Sequence, residues 1–236
     1  MKNISQETLK NIALEHHEVI PVLEKYSLDF CCRGSKTLAD ACTEKNISVE
    51  TIVEEMEQST SSAKPQMPFT EMNSEQLISY ILIHHHFYVK NAIPTINTHL
   101  EKVVAKHGDR YPHMKKILQL FTAVSDELLP HMQKEELILF PRIKELFRAV
   151  QNQQHLAFPS NFIDGPINVM EAEHDNAGQL MFTIRELTNN YTAPETACTT
   201  HRVCLEELKT FENDLHQHVH LENNILFQSA KKMMLN

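Results

Sequence analysis

The sequence predicts an all-α protein in which a small N-terminal helical domain precedes an antiparallel four-helix bundle. The first observation is that the 236-residue chain contains only four Gly, where average usage of about 7% gives roughly sixteen. So few Gly residues disfavour turn-rich β folds and nucleotide-binding folds built on glycine loops. The second is that apolar residues recur at helical spacing through four long stretches. The third is a polar segment with two Pro residues, which separates a short N-terminal part from those stretches.

The N-terminal domain is predicted to span residues 1–58. Its helices are expected at 5–26, 35–45 and 48–57, with residues 29–35 as a connecting loop. Ser48 is predicted to cap the third of these helices, because a serine oxygen at this position accepts a free backbone N–H of the first turn. Residues 59–73 form the predicted linker, since the segment from Ser59 to Pro68 is polar and has little to bury.

The bundle is predicted to span residues 74–236. Its four helices are expected near 74–105, 113–148, 166–190 and 199–232. Connections of this length are typical of antiparallel neighbours in a helix bundle.

Each predicted helix carries residues at alternating steps of three and four, which is the pattern of an inward-facing seam. In chain order these seam positions are Ser79, Leu82, His86, Val89, Ile93, Ile96, Leu100 and Val103; Phe121, Val124, Leu128, His131, Glu135 and Ile138; Ile167, Met170, His174, Ala177, Met181 and Ile184; and Phe211, Leu215, His218, Glu222 and Ile225.

The seam departs from its apolar character in the same way on every helix. Each helix places one His on it, and two helices add a Glu four residues later, one turn along the same face. Burying these groups without partners costs several kcal/mol, whereas a metal needs nitrogen and oxygen ligands and neutralises the carboxylates. The predicted metal ligands are therefore His86, His131, Glu135, His174, His218 and Glu222.

The run His84-His85-His86 offers three candidates on the first helix. Only His86 continues an aliphatic stripe, so His84 and His85 are expected to flank the site. The other His residues, including His107, His113, His216 and His220, show no such coincidence and are expected at the surface or around the site.

Six ligands exceed the four that a structural zinc takes in a closed tetrahedron. They suit two ions, with Glu135 and Glu222 bridging and two His on each ion. Imidazole and carboxylate together accept Fe, Mn or Zn, so this argument leaves the metal open. Ferritin-like di-iron bundles use Glu-x-x-His, with a spacing of three, whereas this chain has His-x-x-x-Glu, with a spacing of four.

The overall charge limits the classes of partner. A net charge of −9 and a pI near 5.9 argue against nucleic acid and anionic membranes as partners. The sequence has no run of eighteen apolar residues that predicts a membrane-spanning helix. The first seven residues do not resemble a signal peptide, so the expected location is the cytoplasm.

The five Cys residues form an odd set without framework spacing, which favours reduced thiols over structural disulfides. Cys31 and Cys32 are adjacent, lie beside Arg33 and precede a helix start expected near Ser35. A thiolate is stabilised in such surroundings, so a redox or iron-handling role is predicted for this pair. The alternative is that both pack as small apolar residues. The others, Cys42, Cys198 and Cys204, are expected only to pack.

The sequences around the predicted ligands carry a resemblance. They are His131-Met132-Gln133-Lys134-Glu135-Glu136 followed by Leu139-Phe140-Pro141; Glu171-Ala172-Glu173-His174-Asp175; and His218-Val219-His220-Leu221-Glu222-Asn223-Asn224-Ile225-Leu226-Phe227. With their spacing and helix order, residues 74–232 resemble a hemerythrin-like di-iron domain.

Two N-terminal motifs extend the resemblance to nearly the whole chain. They are Asp29-Phe30-Cys31-Cys32-Arg33-Gly34 and Leu38-Ala39-Asp40-Ala41-Cys42. Together with the bundle they resemble the RIC (repair of iron centres) family, whose members are also called ScdA or YtfE proteins. The resemblance implies two iron ions per chain, joined by an oxo or hydroxo bridge and by carboxylates. It also implies a homodimer that restores iron–sulfur clusters damaged by nitric oxide or peroxide, with damaged or apo iron–sulfur proteins as partners.

The chain departs from oxygen-carrying hemerythrins at two positions. Gly178 stands where they have a second His on the third helix, and Asn223 stands where their last helix has an Asp. Fewer ligands leave coordination positions for small molecules such as NO or O2, or for metal release. Three functions remain open on the sequence: iron donation for cluster repair, reduction of nitric oxide to nitrous oxide at the same centre, and non-enzymatic sensing or storage of O2, NO or iron.

Overall fold

The all-α prediction is confirmed by the structure, a computed structural model that describes residues 4–31, 34–62, 68–154, 158–159 and 161–235. A small N-terminal helical unit precedes four long helices that pack side by side. None of the helices in the described ranges combines the length and apolar character needed to cross a bilayer.

The N-terminal unit contains four α-helices. They are α1 (Leu9–Glu15), α2 (Ile20–Lys25), α3 (Leu38–Lys45) and α4 (Val49–Ser62). The single helix expected over 5–26 is wrong, because the chain breaks at His16 and forms a 3-10 turn over His17–Val19 before α2. Pro21 explains the break: it has no N–H to donate and occupies the first turn of α2, where none is needed.

The start of α3 also differs from the prediction. It begins at Leu38, where the Thr37 hydroxyl accepts the Asp40 N–H at 3.1 Å, and not near residue 35. Thr8 caps α1 in the same way, and the two capping residues pair in an isolated antiparallel bridge. The helix N-terminus expected to act on Cys31 therefore lies farther along the chain than predicted.

The predicted linker begins too early. Ser48 caps α4 as expected, with its hydroxyl 3.4 Å from the Thr51 N–H, but α4 continues to Ser62. Ser59 is held in that helix and donates to the Glu18 carbonyl at 2.5 Å. Residues 63–67 of the linker lie outside the described residues, and a 3-10 turn over Phe69–Glu71 leads into the bundle.

Four long helices form the bundle, and three of them contain a π-helical turn. The first comprises α5 (Ser74–Ile81), a π turn (Leu82–His86) and α6 (Phe87–His107); the second α7 (His113–Lys134), a π turn (Glu135–Leu139) and α8 (Phe140–Gln151); the third α9 (Asp164–Leu187); and the fourth α10 (Thr199–Leu221), a π turn (Glu222–Leu226) and α11 (Phe227–Met234). Successive helices are neighbours, and the fourth packs against both the third and the first.

The π turns correct the predicted seam. A π turn holds one extra residue, so the alternation of three and four slips by one position where it passes the turn. Before His86, the predicted seam residue Ser79 is exposed and Leu82 is only half-buried, whereas Ile78 and Ile81 are buried.

The same slip occurs after the two predicted Glu ligands. Ile138 was expected in the core but is 45% exposed, and Leu139 takes its place. On the fourth helix Ile225 is half-buried and Leu226 is buried instead.

The core consists of two apolar clusters with a polar layer between them. One cluster contains Val89, Leu128 and Leu215 and is continuous with the core of the N-terminal unit. The other contains Ile81 and Phe227. The polar layer is made by the His and Glu residues at the three π turns and on α9.

Candidate metal centre

The structure brings the six predicted ligand residues together in the polar layer. They form two groups of four whose ligand atoms lie within 4.8 Å of one another. One group consists of His86, Glu135, His218 and Glu222, and the other of His131, Glu135, His174 and Glu222. All six residues are at most 1% exposed, so water does not compensate their polarity.

Both carboxylates belong to both groups. Glu222 presents Oε1 to His218 Nε2 at 3.0 Å and Oε2 to His174 Nε2 at 3.1 Å, one oxygen toward each group. Glu135 Oε2 lies 3.4 Å from the Nε2 atoms of both His86 and His131. Each carboxylate is therefore placed to bridge two ions.

The nitrogen and oxygen atoms of these residues are arranged better for coordinating metal ions than for hydrogen bonding with one another. Among the residues that the structure describes, neither oxygen of Glu135 nor Nε2 of His86 has a hydrogen-bond partner. His131 Nε2 and His174 Nε2 face each other at 3.0 Å, although both imidazoles use Nδ1 for other partners. Buried polar groups without partners are costly, and converging imidazole and carboxylate atoms are the ligand set of a transition metal. The six residues could therefore hold metal ions, and their donor atoms accept iron, manganese or zinc.

Protons balance the charge of this cluster when metal is absent. Burial lowers the pKa of His86, but the adjacent carboxylates of Glu135 and Glu222 outweigh it and raise that pKa to about 10. Burial also disfavours the charged form of His131. The charge of Glu135 is the strongest opposing effect, and the pKa of His131 rises to about 9. Burial raises the pKa of Glu222, yet the charge of His218 and hydrogen bonds from imidazoles hold it well below its ordinary value. Two carboxylates thus face two imidazolium ions.

Three of the four imidazoles are oriented by a hydrogen bond at Nδ1, the ring nitrogen that faces away from the cluster. His86 Nδ1 donates to Glu136 Oε1 at 2.8 Å, His131 Nδ1 donates to Glu173 Oε2 at 2.8 Å, and His174 Nδ1 donates to Asn223 Oδ1 at 2.9 Å. Such acceptors fix the tautomer and leave the Nε2 lone pair for the metal. Lys90 and Lys134 in turn bind the carboxylates of Glu136 and Glu173.

The sequence interpretation missed these three orienting residues. Glu136, Glu173 and Asn223 each adjoin a predicted ligand in the chain, but off the seam, so periodicity did not select them. Asn223, one of the departures from the oxygen-carrying hemerythrins, orients His174. The other departure, Gly178, lines a separate cavity of about 350 Å³.

His85 was expected to flank the site, but this interpretation is incomplete. His84 is exposed, whereas the π turn places both His85 and His86 in the interior. His85 Nδ1 donates to Asp214 Oδ1 at 2.9 Å, and its ring stacks on His218 with centroids 5.4 Å apart.

Three other His residues are also buried. His216 pairs with Glu24 of the N-terminal unit at 2.9 Å, and His220 accepts from the Asn224 amide at 2.9 Å. His201 lies at the far end of the bundle against Tyr111. His201 is buried away from the six clustered residues, so the expected position at the surface or around the site is wrong for it. His216 and His220 lie near the six clustered residues, on the helix of His218.

The loop that carries Cys31 lies against the fourth bundle helix. Phe30 packs edge-on against His216 and His220, with ring centroids 6.3 and 5.3 Å apart. Cys31 is buried, and its N–H and its thiol both donate to Asp29 Oδ1. Cys32 and Arg33 lie outside the described residues.

The remaining Cys residues behave as packing groups. Cys42 and Cys204 are buried, and Cys198 is half-buried. Burial raises the pKa of Cys204 to about 12 and also raises that of Cys42, which keeps both thiols protonated.

We expect the metal-free protein to lose stability as the pH rises from about 6.5 to about 10. The folded-state pKa values of His86 and His131 lie above the ordinary value of 6.5, at about 10 and about 9. Their stabilisation is therefore complete below about pH 6.5 and is lost as the pH rises through those values. Denaturant unfolding of chelator-treated protein across this range measures the effect. Stability that increases with pH over the same interval contradicts it, and the metal-loaded protein, in which ions replace the protons, serves as the control.

Family models cover most of the chain. Residues 77–230 match the hemerythrin HHE cation-binding domain. Residues 5–60 match ScdA_N, a domain of unknown function.

Curated relatives match over nearly their whole length. An iron-sulfur cluster repair protein YtfE from Citrobacter koseri is 34% identical over 222 residues, which cover 94% of this chain and 95% of the relative. Proteins of the same name from Escherichia coli and Yersinia pseudotuberculosis are 35% identical over 226 residues and 33% identical over 224 residues. The coverage is 94% of this chain and 95% of the relative for the first, and 95% and 96% for the second. With a hemerythrin HHE domain behind an ScdA_N domain, and with relatives of this name along its length, the chain belongs to the YtfE family of iron-sulfur cluster repair proteins.

Proposed function

We propose that the chain holds two iron ions and repairs damaged iron–sulfur clusters by donating iron from this centre. The observation that carries the proposal is that Glu135 and Glu222 each belong to both ligand groups. A single ion needs one such group, so two groups that share both carboxylates favour a pair of bridged ions. The repair role is that of the relatives, as their names state it.

In this proposal His86 and His218 would hold one ion, and His131 and His174 would hold the other. Glu135 and Glu222 would serve both ions. When bound, the pair supplies iron that an acceptor protein takes up to rebuild its cluster. The protein's part is to exchange protons for metal, because His86 and His131 lose their protons when the ions bind.

Each ion would receive two imidazoles and a share of two carboxylates, which is fewer ligands than an octahedral ion takes. Small ligands such as NO or O2 would complete the set. Buried aromatic side chains close the layer on one side: Phe140 stacks on His86, and Phe227 stacks on His174. These rings exclude water and limit the centre to small molecules.

The two parts of the chain have different tasks in the proposal. The bundle of residues 74–236 holds the iron, and the domain of residues 1–58 presents Cys31 and Cys32 as thiols that receive iron or carry electrons. Damaged or apo iron–sulfur proteins are the partners, the active form is a homodimer, and the cytoplasm is the location. The packing of Phe30 against His216 and His220 supports this division, because it brings the thiol-bearing loop to the helix of His218 and Glu222.

The test is transfer of labelled iron to an apo iron–sulfur protein. We expect protein loaded with two ⁵⁷Fe per chain to restore the acceptor's cluster, with the label recovered in that cluster by Mössbauer spectroscopy. The double variant Cys31→Ser, Cys32→Ser is expected to keep both irons, since neither residue is in the ligand set, and to transfer them more slowly. Loading with a single tightly bound zinc and no iron contradicts the di-iron centre. Full loading without any transfer contradicts iron donation.

A further inference from the structure

We infer that the two metal positions differ in lability, and that the iron bound by His86 and His218 leaves before the iron bound by His131 and His174. The inference rests on the proposed iron donation and identifies which ion of the centre is donated. The two positions share both carboxylates, so the difference must come from their imidazoles.

At the metal position between His131 and His174, both imidazoles are held by a hydrogen bond at Nδ1. His131 Nδ1 is bound to the Glu173 carboxylate and His174 Nδ1 to the Asn223 amide oxygen, at 2.8 and 2.9 Å. Both rings are therefore fixed in orientation and tautomer. Loss of one such orienting partner typically weakens metal binding 10- to 100-fold.

At the metal position between His86 and His218, only one of the two imidazoles is held in this way. His86 is bound to Glu136, but His218 directs Nε2 toward Glu222 and its buried Nδ1 has no hydrogen-bond partner among the described residues. Since Nε2 of His218 faces the metal, Nδ1 carries the hydrogen and lacks an acceptor. His218 is thus the one ligand imidazole that no protein acceptor in the described part of the chain orients.

An imidazole outside the predicted ligand set also stacks on His218, and it does not replace an acceptor. His85 stacks on His218 with ring planes 3° apart, a geometry that places the rings face to face and leaves their edges unpaired. His85 donates Nδ1–H to Asp214, and its buried Nε2 also lacks a partner in the described residues. A carboxylate-bound imidazole thus lies beside the weakly restrained ligand.

The His85–Asp214 pair also connects this side of the centre to a large crevice. Asp214 is among the residues that line a crevice of about 1080 Å³ between the N-terminal unit and the fourth bundle helix. Glu18, Glu24 and Glu212 line the same crevice, as do the cationic residues Lys25, Arg185 and Lys209. Of these carboxylates Glu24 pairs with His216, and Glu212 pairs with Arg185. The His85–Asp214 pair therefore links the side of His86 and His218 to a crevice beside the N-terminal unit.

The direct test is the order in which the two positions empty. Crystals of the reduced, iron-loaded protein are soaked briefly in a ferrous chelator, and anomalous scattering at the iron edge gives the occupancy of each position. We expect the position between His86 and His218 to lose occupancy first. Equal loss, or earlier loss between His131 and His174, overturns the inference.

Variants test the cause in solution, where chelation is followed by absorbance. The wild-type protein is expected to release iron in two phases about tenfold apart. Asn223→Ala removes the acceptor of His174 and should speed the slow phase about tenfold, so that both irons leave in one phase at the wild-type fast rate. Glu173→Gln tests the same point at His131 if the first variant loads poorly. The matched control is Glu207→Gln, which alters a carboxylate bound to His99 at 2.7 Å outside the centre and should change neither rate.

The outcomes separate this inference from the proposed function. Single-phase release from the wild-type protein, or an unchanged slow phase in both variants, overturns the inference even if iron reaches an acceptor. Ordered release to the chelator without transfer to any apo iron–sulfur protein supports the inference and contradicts the proposed function.

Discussion

Glu135→Leu and Glu222→Leu are each expected to abolish the binding of both iron ions. Each carboxylate belongs to both ligand groups, so one substitution removes a ligand from two positions at once. Leu cannot bind metal but has a similar volume, and the site is fully buried, so no water-exposed group replaces the lost ligand. Iron analysis after expression in iron-replete cells measures the result.

Stability of the metal-free variants separates lost ligation from lost folding. Each carboxylate compensates imidazolium charge in the metal-free protein, so removing one of them costs stability, and this cost shrinks as the pH rises and the imidazoles lose their protons. The metal-free variants should therefore still unfold cooperatively, at a temperature below that of the metal-free wild type near pH 6.5 and closer to it near pH 10. Glu207→Leu, at the His99–Glu207 pair outside the centre, is the matched control and should retain both ions. Two irons retained by Glu222→Leu contradict the bridging role.

The convergence of the six predicted residues was predictable from the sequence because their spacing is a property of the helix itself. His131 and Glu135, or His218 and Glu222, lie one turn apart whatever the rest of the fold does. Apolar neighbours at steps of three and four then fix which face is buried. His86 could be chosen from three consecutive His residues for this reason, and the structure places it in a ligand group.

The residues that the sequence did not reveal depend on contacts between helices. His86 is oriented by Glu136 of the second bundle helix, and His174 by Asn223 of the fourth. Neither pairing has a periodic signature within one helix. The π turns were missed because a regular 3.6-residue pattern has no place for their extra residue. Ile138 and Ile225 were misplaced as a result.

The polar layer also explains why the fold tolerates so much buried charge. In the metal-free protein His86 and His131 neutralise Glu135 and Glu222, so the layer carries no net charge before the ions arrive. In the proposed loaded state each ion would replace protons. The apolar clusters on either side supply the packing energy, and the polar layer adds to it through its charge pairs in the metal-free protein and through the ions in the loaded one.

A second buried charge pair stabilises the bundle beside the crevice. Arg185 donates two hydrogen bonds to Glu212, at 2.9 and 2.8 Å, and the two side chains are only 11% and 3% exposed. Tyr191 donates its hydroxyl to the same carboxylate at 3.0 Å. Its backbone is left-handed, with φ of 58°, as is that of the two preceding residues. Left-handed backbone costs roughly 1–2 kcal/mol per non-glycine residue, so this turn needs the anchor that Glu212 provides.

Glu212→Leu is therefore expected to lower the free energy of unfolding by about 3–5 kcal/mol, because it leaves the Arg185 guanidinium buried without its partner. Chemical denaturation measures the loss. The matched control is Glu75→Leu, which removes the partner of Arg148 from a pair in which Arg148 is 66% exposed and should cost less than about 1 kcal/mol. The double variant Arg185→Met, Glu212→Leu should recover most of the loss, since no charge then remains buried. A loss no larger than that of the control, or a double variant as unstable as Glu212→Leu, contradicts this account of the pair.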